Sequence, residues 1–189
     1  MEALMDGDSL GAVVARARMG DELAFARIVA AHHDDMTRVC FVICGDADLA
    51  QEAVQAAWPH AWQKMTTIRD PQRLRPWLIS IAVNETKQLV RKRGRRMLRE
   101  IAIDPETSGG VATSARSDPA SRAGEMDLAN ALADLGEADR VIVGLRYAAG
   151  LTSAEIATMV GMSAAGVRAR LARLLDRLRK ELDDDAPAN

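Results

Sequence analysis

The stretch LTSAEIATMVGMSAAGVRARLARLLDRLRKEL, residues 151–182, decides the reading of the fold. Thr152 precedes Glu155 by three positions, the spacing of a capping box, so a helix is expected to start at Ser153. Ile156, Ala157 and Val160 then share an inward side, and Ala157 is small enough for a second helix to approach closely. Gly161 stands where the chain must turn sharply, a position that favours left-handed backbone. Ser163 caps a longer helix whose apolar stripe is Val167, Leu171, Leu174, Leu178 and Leu182, with Arg168, Arg170, Arg173 and Arg177 off that stripe. Short helix, glycine turn and long arginine-bearing helix make a helix-turn-helix, whose second helix enters the DNA major groove. Arginine suits that task because its planar fork pairs bidentately with guanine and also clamps phosphates. The alternative is a plain αα-hairpin packed on a neighbour, which would not call for this small residue, glycine, cap and arginines together.

Working outward, the first 94 residues hold few glycines and prolines, and their apolar residues recur at helical spacing. Phe25, Ile28, Val29, His32, Met36, Val39, Cys40 and Ile43 form one stripe; Gly45 ends that helix and Asp46 is placed to cap the next. The following stripe is Leu49, Ala53, Val54, Ala57, Trp58, Ala61, Trp62 and Met65. Pro59 interrupts it, and a proline inside a helix costs about 3 kcal/mol, so a kink or break is expected there. Arg69, Asp70 and Pro71 read as a turn. A further helix is expected from near Pro76, with Trp77, Leu78, Ile81, Ala82, Leu89 and Val90 as its apolar side. Asn84, Lys87, Gln88, Arg91 and Arg95 fall on a second, polar face. The three tryptophans lie on core stripes rather than on a stacking platform.

Between them, residues 97–126 change character: DPETSGGVATSARSDPASRAGE, 104–125, is rich in Gly, Ser, Thr and Pro and reads as a flexible linker. Helices resume with Leu128, Ala131, Leu132 and Leu135, then Val141, Ile142 and Leu145. No run alternates with a period of two for long enough to argue for a sheet. The expected fold class is all-α: two small helical domains, 1–96 and 127–183, joined by the 97–126 linker and followed by an acidic tail, 184–189.

Charge sharpens this picture. Residues 87–99 hold seven basic side chains and no acid; residues 168–180 hold six against Asp176 alone. These windows take 13 of the 25 lysines and arginines, which leaves a body with a net charge of −14. Two cationic patches on an acidic body attract polyanions locally and repel them elsewhere. With 48% hydrophobic residues and no apolar run near the ~18 residues a membrane span needs, disordered and membrane-inserted classes are excluded. The early acids argue against a secretory leader, and two cysteines cannot build a disulfide framework, so a cytoplasmic setting is expected.

Three stretches carry a resemblance to a known family: GDADLAQEAVQAAWPHAW at 45–62, RPWLISIAVNETKQLVRKRGRR at 75–96 and LRYAAGLTSAEIATMVGMSAAGVRARL at 145–171. In this order and with this linker, the chain resembles a bacterial RNA polymerase sigma factor of the extracytoplasmic-function class. Residues 14–96 are similar to the family's region two, and 127–182 to its region four. The resemblance implies a factor that binds core RNA polymerase and reads promoter DNA at the −10 and −35 elements. Asp46, Asp48, Glu52 and Gln55 would then form the polymerase-binding surface, their acidity suited to a basic coiled coil. Asn84, Lys87, Gln88 and Arg91 would meet the melted strand of the −10 element, the loop around Arg69–Arg75 would pocket a flipped base, and Arg93, Arg95 and Arg96 would hold phosphates. Ser163, Arg168, Arg170 and Arg173 would read the −35 element. An anti-sigma factor is the implied regulator, and no cofactor is implied.

The sequence departs from the family pattern in places. Pro59 sits in a helix that is usually unbroken, Gly136 replaces a common proline, and Ala164, Ala165 and Gly166 replace a polar-Gly-Thr start of the reading helix. The chain ends soon after region four, so no further regulatory domain is expected. A 30-residue linker spans about 30 Å as a coil, against ~34 Å for one DNA turn, so two readers on such a tether need a scaffold that fixes their spacing. The rival reading is a stand-alone helix-turn-helix regulator, which leaves the acidic helix and the 75–96 face unexplained. A metal or redox sensor built on His32, His33, Cys40 and Cys44 is opposed by the ~10 Å axial rise between positions 33 and 40 and by their place on the buried stripe. No phosphate-binding loop, nucleophile elbow or zinc-protease motif argues for an enzyme.

Overall fold

The structure, a computed structural model, describes residues 9–103, 132 and 134–184. The expected linker beyond residue 103, Leu128, Ala131 and the acidic tail beyond Asp184 lie outside the described residues, as does the side chain of Leu182.

Four helices build the N-terminal unit: α1 (Leu10–Arg18), α2 (Glu22–Cys44), α3 (Ala47–Lys64) and α4 (Leu74–Ile103). Their ends follow from local chemistry. The Asp21 carboxylate accepts the Ala24 N–H at 3.0 Å and starts α2; Gly45, at φ 69°, closes it in the left-handed region. Asp46 then accepts the Leu49 N–H at 3.0 Å and starts α3. α3 packs through Ala50, Ala53, Ala57 and Ala61, all fully buried, and four small side chains in one row let it lie close to its neighbours. Ile28, Met36, Val39 and Ile43 of α2 and Leu78, Ile79 and Ala82 of α4 complete that core. Trp58 and Trp62 are half-buried edge-on to Phe25, at ring separations of 5.9 and 4.8 Å.

Two expectations change here. α3 runs unbroken through Pro59. The proline sits on the exposed side with Gln55, where the backbone carbonyl that loses its partner faces solvent instead of core. α4 begins at Leu74 and runs to Ile103, seven residues into the stretch expected to be linker. Met97, Leu98 and the residues after them carry no glycine or proline before Pro105, so nothing local stops the helix.

The C-terminal unit holds α5 (Glu137–Val143), one π-turn (Gly144–Ala148), α6 (Ser153–Val160) and α7 (Ala164–Asp184). The capping box forms as the spacing predicts. The Glu155 N–H donates to the Thr152 hydroxyl at 3.3 Å, and Glu155 accepts the Thr152 N–H at 2.8 Å and its hydroxyl at 2.7 Å. The bond from that hydroxyl, followed by that from the N–H, holds the Glu155 carboxyl below the usual glutamate range. Gly161 turns at φ 70°, and Ser163 accepts the Gly166 N–H at 3.0 Å to cap α7. Thr152→Ala is expected to cost about 1 kcal/mol in denaturant unfolding at neutral pH. Because the folded pKa of Glu155 is depressed, the wild-type advantage is present above the unfolded glutamate pKa and shrinks as pH falls through the folded value.

The two units are packed together. Val141, Ile142, Leu145, Ala149 and Leu151 are buried in one cluster with Val39, Ile43 and Leu78. Gly144 makes the approach possible: a Cβ there would stand 3.3 Å from Ile43 Cγ1, 3.5 Å from Val42 Cγ1 and 3.6 Å from the Val39 carbonyl oxygen. Periodicity alone left open whether these stripes meet, because it identifies a buried side but not its partner.

Candidate functional site

The acidic face of α3 is intact and outward. Asp48, Glu52 and Gln55 are exposed at four- and three-residue spacing, so they line one ridge. Asp46, at the head of that ridge, is committed within the chain: one carboxylate oxygen caps α3 and the other pairs with Arg93 Nη1. The Leu49 N–H and then Arg93 hold its carboxyl below the usual aspartate range.

α4 carries the expected basic face, and the structure adds what lies against it. Asn84, Gln88, Arg91, Arg93, Arg95 and Arg96 are exposed, and Lys87 is half-buried. Asn84 and Lys87 line a narrow cavity of about 30 Å³ whose far wall is Val141, Leu145, Met159 and Val160 of the C-terminal unit. Arg91 approaches Glu137 of α5 at 3.5 Å, and Gln88 donates to Glu85 at 3.4 Å. Just upstream, Asp70 caps a short 3₁₀ turn, Pro71–Arg73, by accepting the Gln72 N–H at 3.0 Å. Arg75 then ties the units together: its Nε and Nη2 both reach Asp35 at 2.8 Å, and its Nη1 donates to the Ala149 carbonyl at 2.6 Å. The C-terminal unit thus borders Asn84 and Lys87 on one side, leaving Asn84 exposed.

On α7, the four expected residues separate into two roles. Ser163 is occupied as the cap. Arg168 and Arg173 are both exposed, five positions and so about 140° apart around the helix; Arg173 Nε donates weakly to the Ala169 carbonyl at 3.4 Å. Arg170 lies on the flank opposite Arg168, half-buried, with its Nε paired to Asp139 of α5. Its helix position, one residue before the buried Leu171 and three after the buried Val167, turns it inward. Gly136 caps α5 without any side-chain bond, a role glycine tolerates well.

Sequence reasoning did not single out Asp35, Glu137, Asp139, Gly144 or Ala149. Glu137 and Asp139 stand in the first turn of α5, and nothing local connects Asp35 to Arg75, 40 residues away. The cysteine and histidine cluster takes part in packing. Cys40 is fully buried, and burial pushes its thiol up to about 11. Cys44 donates to the Asp46 carbonyl at 3.2 Å, and Trp58 Nε1 donates to His33 Nδ1 at 3.2 Å. Burial lowers the pKa of His32. Among the described residues no His, Cys, Asp and Glu side chains gather as a metal site, and no helix is long and apolar enough to cross a membrane.

Comparison with known proteins agrees with this geometry. Residues 28–96 match the family model of Sigma-70 region 2, and residues 125–178 match that of Sigma-70, region 4. The RNA polymerase sigma-E factor of Streptomyces coelicolor is 31% identical over 166 residues, 87% of this chain and 89% of that protein. The "Probable RNA polymerase sigma factor RfaY" of Xanthomonas campestris pv. campestris is 29% identical over 186 residues. That alignment takes in 94% of this chain and 46% of the relative, so the chain spans about half of that protein's length. A solved structure of the sigma factor RpoE with the anti-sigma factor NepR from Bartonella quintana shares the fold, with a TM-score of 0.68 and 24% identity over 85% of this chain and 98% of that one. With both regions present in order and a relative matched along nearly its whole length, the chain belongs to the extracytoplasmic-function class of the sigma-70 family.

Proposed function

We propose that this chain directs core RNA polymerase to promoters, with Asp48, Glu52 and Gln55, headed by Asp46, as the polymerase-binding ridge. The observation that carries this reading is the pairing, in one chain, of α4's polar cationic face with an α7 that displays Arg168 and Arg173 outward from a capped helix-turn-helix. The α4 face, Asn84, Lys87, Gln88 and Arg91, meets the opened strand of the −10 element, and Arg93, Arg95 and Arg96 hold phosphates. Arg168 and Arg173 read the −35 element, while Arg170 holds α7 to α5 through Asp139. The chain contributes selection and the polymerase performs the chemistry, which places it in the cytoplasm with the nucleoid. An anti-sigma factor is a fitting regulator, as the NepR complex of the Bartonella relative indicates for that protein.

Packing of the C-terminal unit against half-buried Lys87 and beside Asn84 supports a further point: promoter reading requires the C-terminal unit to move off α4. Run-off transcription tests the whole reading. Added to core polymerase, the protein is expected to give a single promoter-specific start. Tight, specific duplex binding by the chain alone, with no effect on core polymerase, would instead identify a stand-alone regulator.

A further inference from the structure

Asp46 joins two surfaces that the proposed function keeps separate. Its Oδ1 caps the polymerase-binding helix through the Leu49 N–H at 3.0 Å, and its Oδ2 holds Arg93, near the end of the basic face of α4. Arg93 has no other partner among the described residues. Its side chain is 43% exposed and that of Asp46 26%, so the pair lies at the surface and exchanges partners at small cost. Arg91 is engaged in the same way, and its neighbour Glu137 belongs to the other unit.

We propose that Asp46 is a positioning residue for promoter binding: in the free chain it withholds Arg93 from nucleic acid, and a polymerase cation that engages Asp46 releases Arg93 to a DNA phosphate. The proposal rests on the reading of this chain as a polymerase-bound promoter factor. Physically it is an exchange of ion pairs, one carboxylate passing from an internal arginine to an external cation while that arginine passes to a phosphate. Charge is balanced at each step, so neither partner is left bare. The cap to Leu49 uses the other oxygen and survives the exchange.

Asp46→Asn tests this cleanly, because asparagine still caps a helix but has no charge to hold Arg93. In the free full-length chain, the variant is expected to bind a single-stranded oligonucleotide about fivefold more tightly at low salt. Its dependence of log affinity on log salt should steepen by about 0.7, the increment for one added phosphate contact on a single strand. Adding Arg93→Gln to Asp46→Asn should abolish both the tighter binding and the steeper salt dependence. Asp34→Asn, the same charge change on an exposed part of α2, should not alter the salt dependence. In the holoenzyme, Arg93→Gln should weaken promoter binding. The proposal is overturned if Asp46→Asn leaves the salt dependence unchanged, if Asp34→Asn steepens it equally, or if the double variant keeps the gain. These are measurements without polymerase, so they fail separately from the run-off assay, which tests the underlying reading.

Discussion

Gly144→Leu is expected to separate the two units while leaving each one folded. Gly144 has helical backbone, φ −58° and ψ −46°, so a side chain there strains nothing locally and even gains about 1 kcal/mol of helix propensity. The obstacle is α2. A Cβ would already press on Ile43 Cγ1 at 3.3 Å, and a leucine would drive three further carbons toward Val39, Val42 and Ile43. Overpacking of this kind costs typically 1–3 kcal/mol, roughly what an interface between domains of one chain has to spare. The polar ties across the interface, Arg75 to the Ala149 carbonyl and Arg91 to Glu137, are partly exposed and too weak to resist. Small-angle scattering should show a larger radius of gyration with helical content retained, and amide exchange should rise along the Gly144–Ala148 turn. Opening also uncovers half-buried Lys87 and clears the space beside Asn84, so the free variant should bind a pre-melted promoter fragment more tightly. An unchanged radius of gyration would show that the contact on α2 is not what holds the units together.

The second large effect concerns α7, the helix proposed to read the −35 element. Arg168→Gln and Arg173→Gln are each expected to reduce initiation from a promoter bearing the cognate −35 element by roughly 10- to 100-fold, the loss of one bidentate contact worth about 1–3 kcal/mol. Both should also relax the preference at the base they read. Arg170→Gln should behave differently. Its Nε is engaged by Asp139, and the pair is only about a third and a fifth exposed, so the substitution leaves a partly buried carboxylate without its cation. A loss of about 1 kcal/mol in stability is expected, discounted for that solvent access, with base preference unaltered. Selection from a randomised −35 library, paired with thermal unfolding, separates the two outcomes. A changed base preference for Arg170→Gln would place that arginine back among the readers.

These predictions divide along the line between local and distant chemistry. Helix ends were legible because each is decided within a few residues: Thr152 with Glu155, Gly161, Ser163, Gly45 and Asp46 all do in the structure what their spacing implies. The buried stripes of α2, α3 and α7 were legible for the same reason, since a period of 3.6 declares which side of a helix avoids water. Spacing does not decide the effect of Pro59, because its cost depends on whether the freed carbonyl at Gln55 is dry, and that depends on which way the helix faces. The end of α4 lies beyond the start of the low-complexity stretch because no helix-stopping residue stands between Met97 and Pro105.

Sequence alone pointed to an all-helical fold with two cationic patches and an acidic helix face, because each follows from residue type and short-range spacing. Only tertiary structure could decide which arginines are available to a ligand. Arg75, Arg91, Arg93 and Arg170 each meet an acid 31 to 47 positions away, at Asp35, Glu137, Asp46 and Asp139. A guanidinium's electrostatic partner is set by distance in space, which helix packing determines and residue order does not.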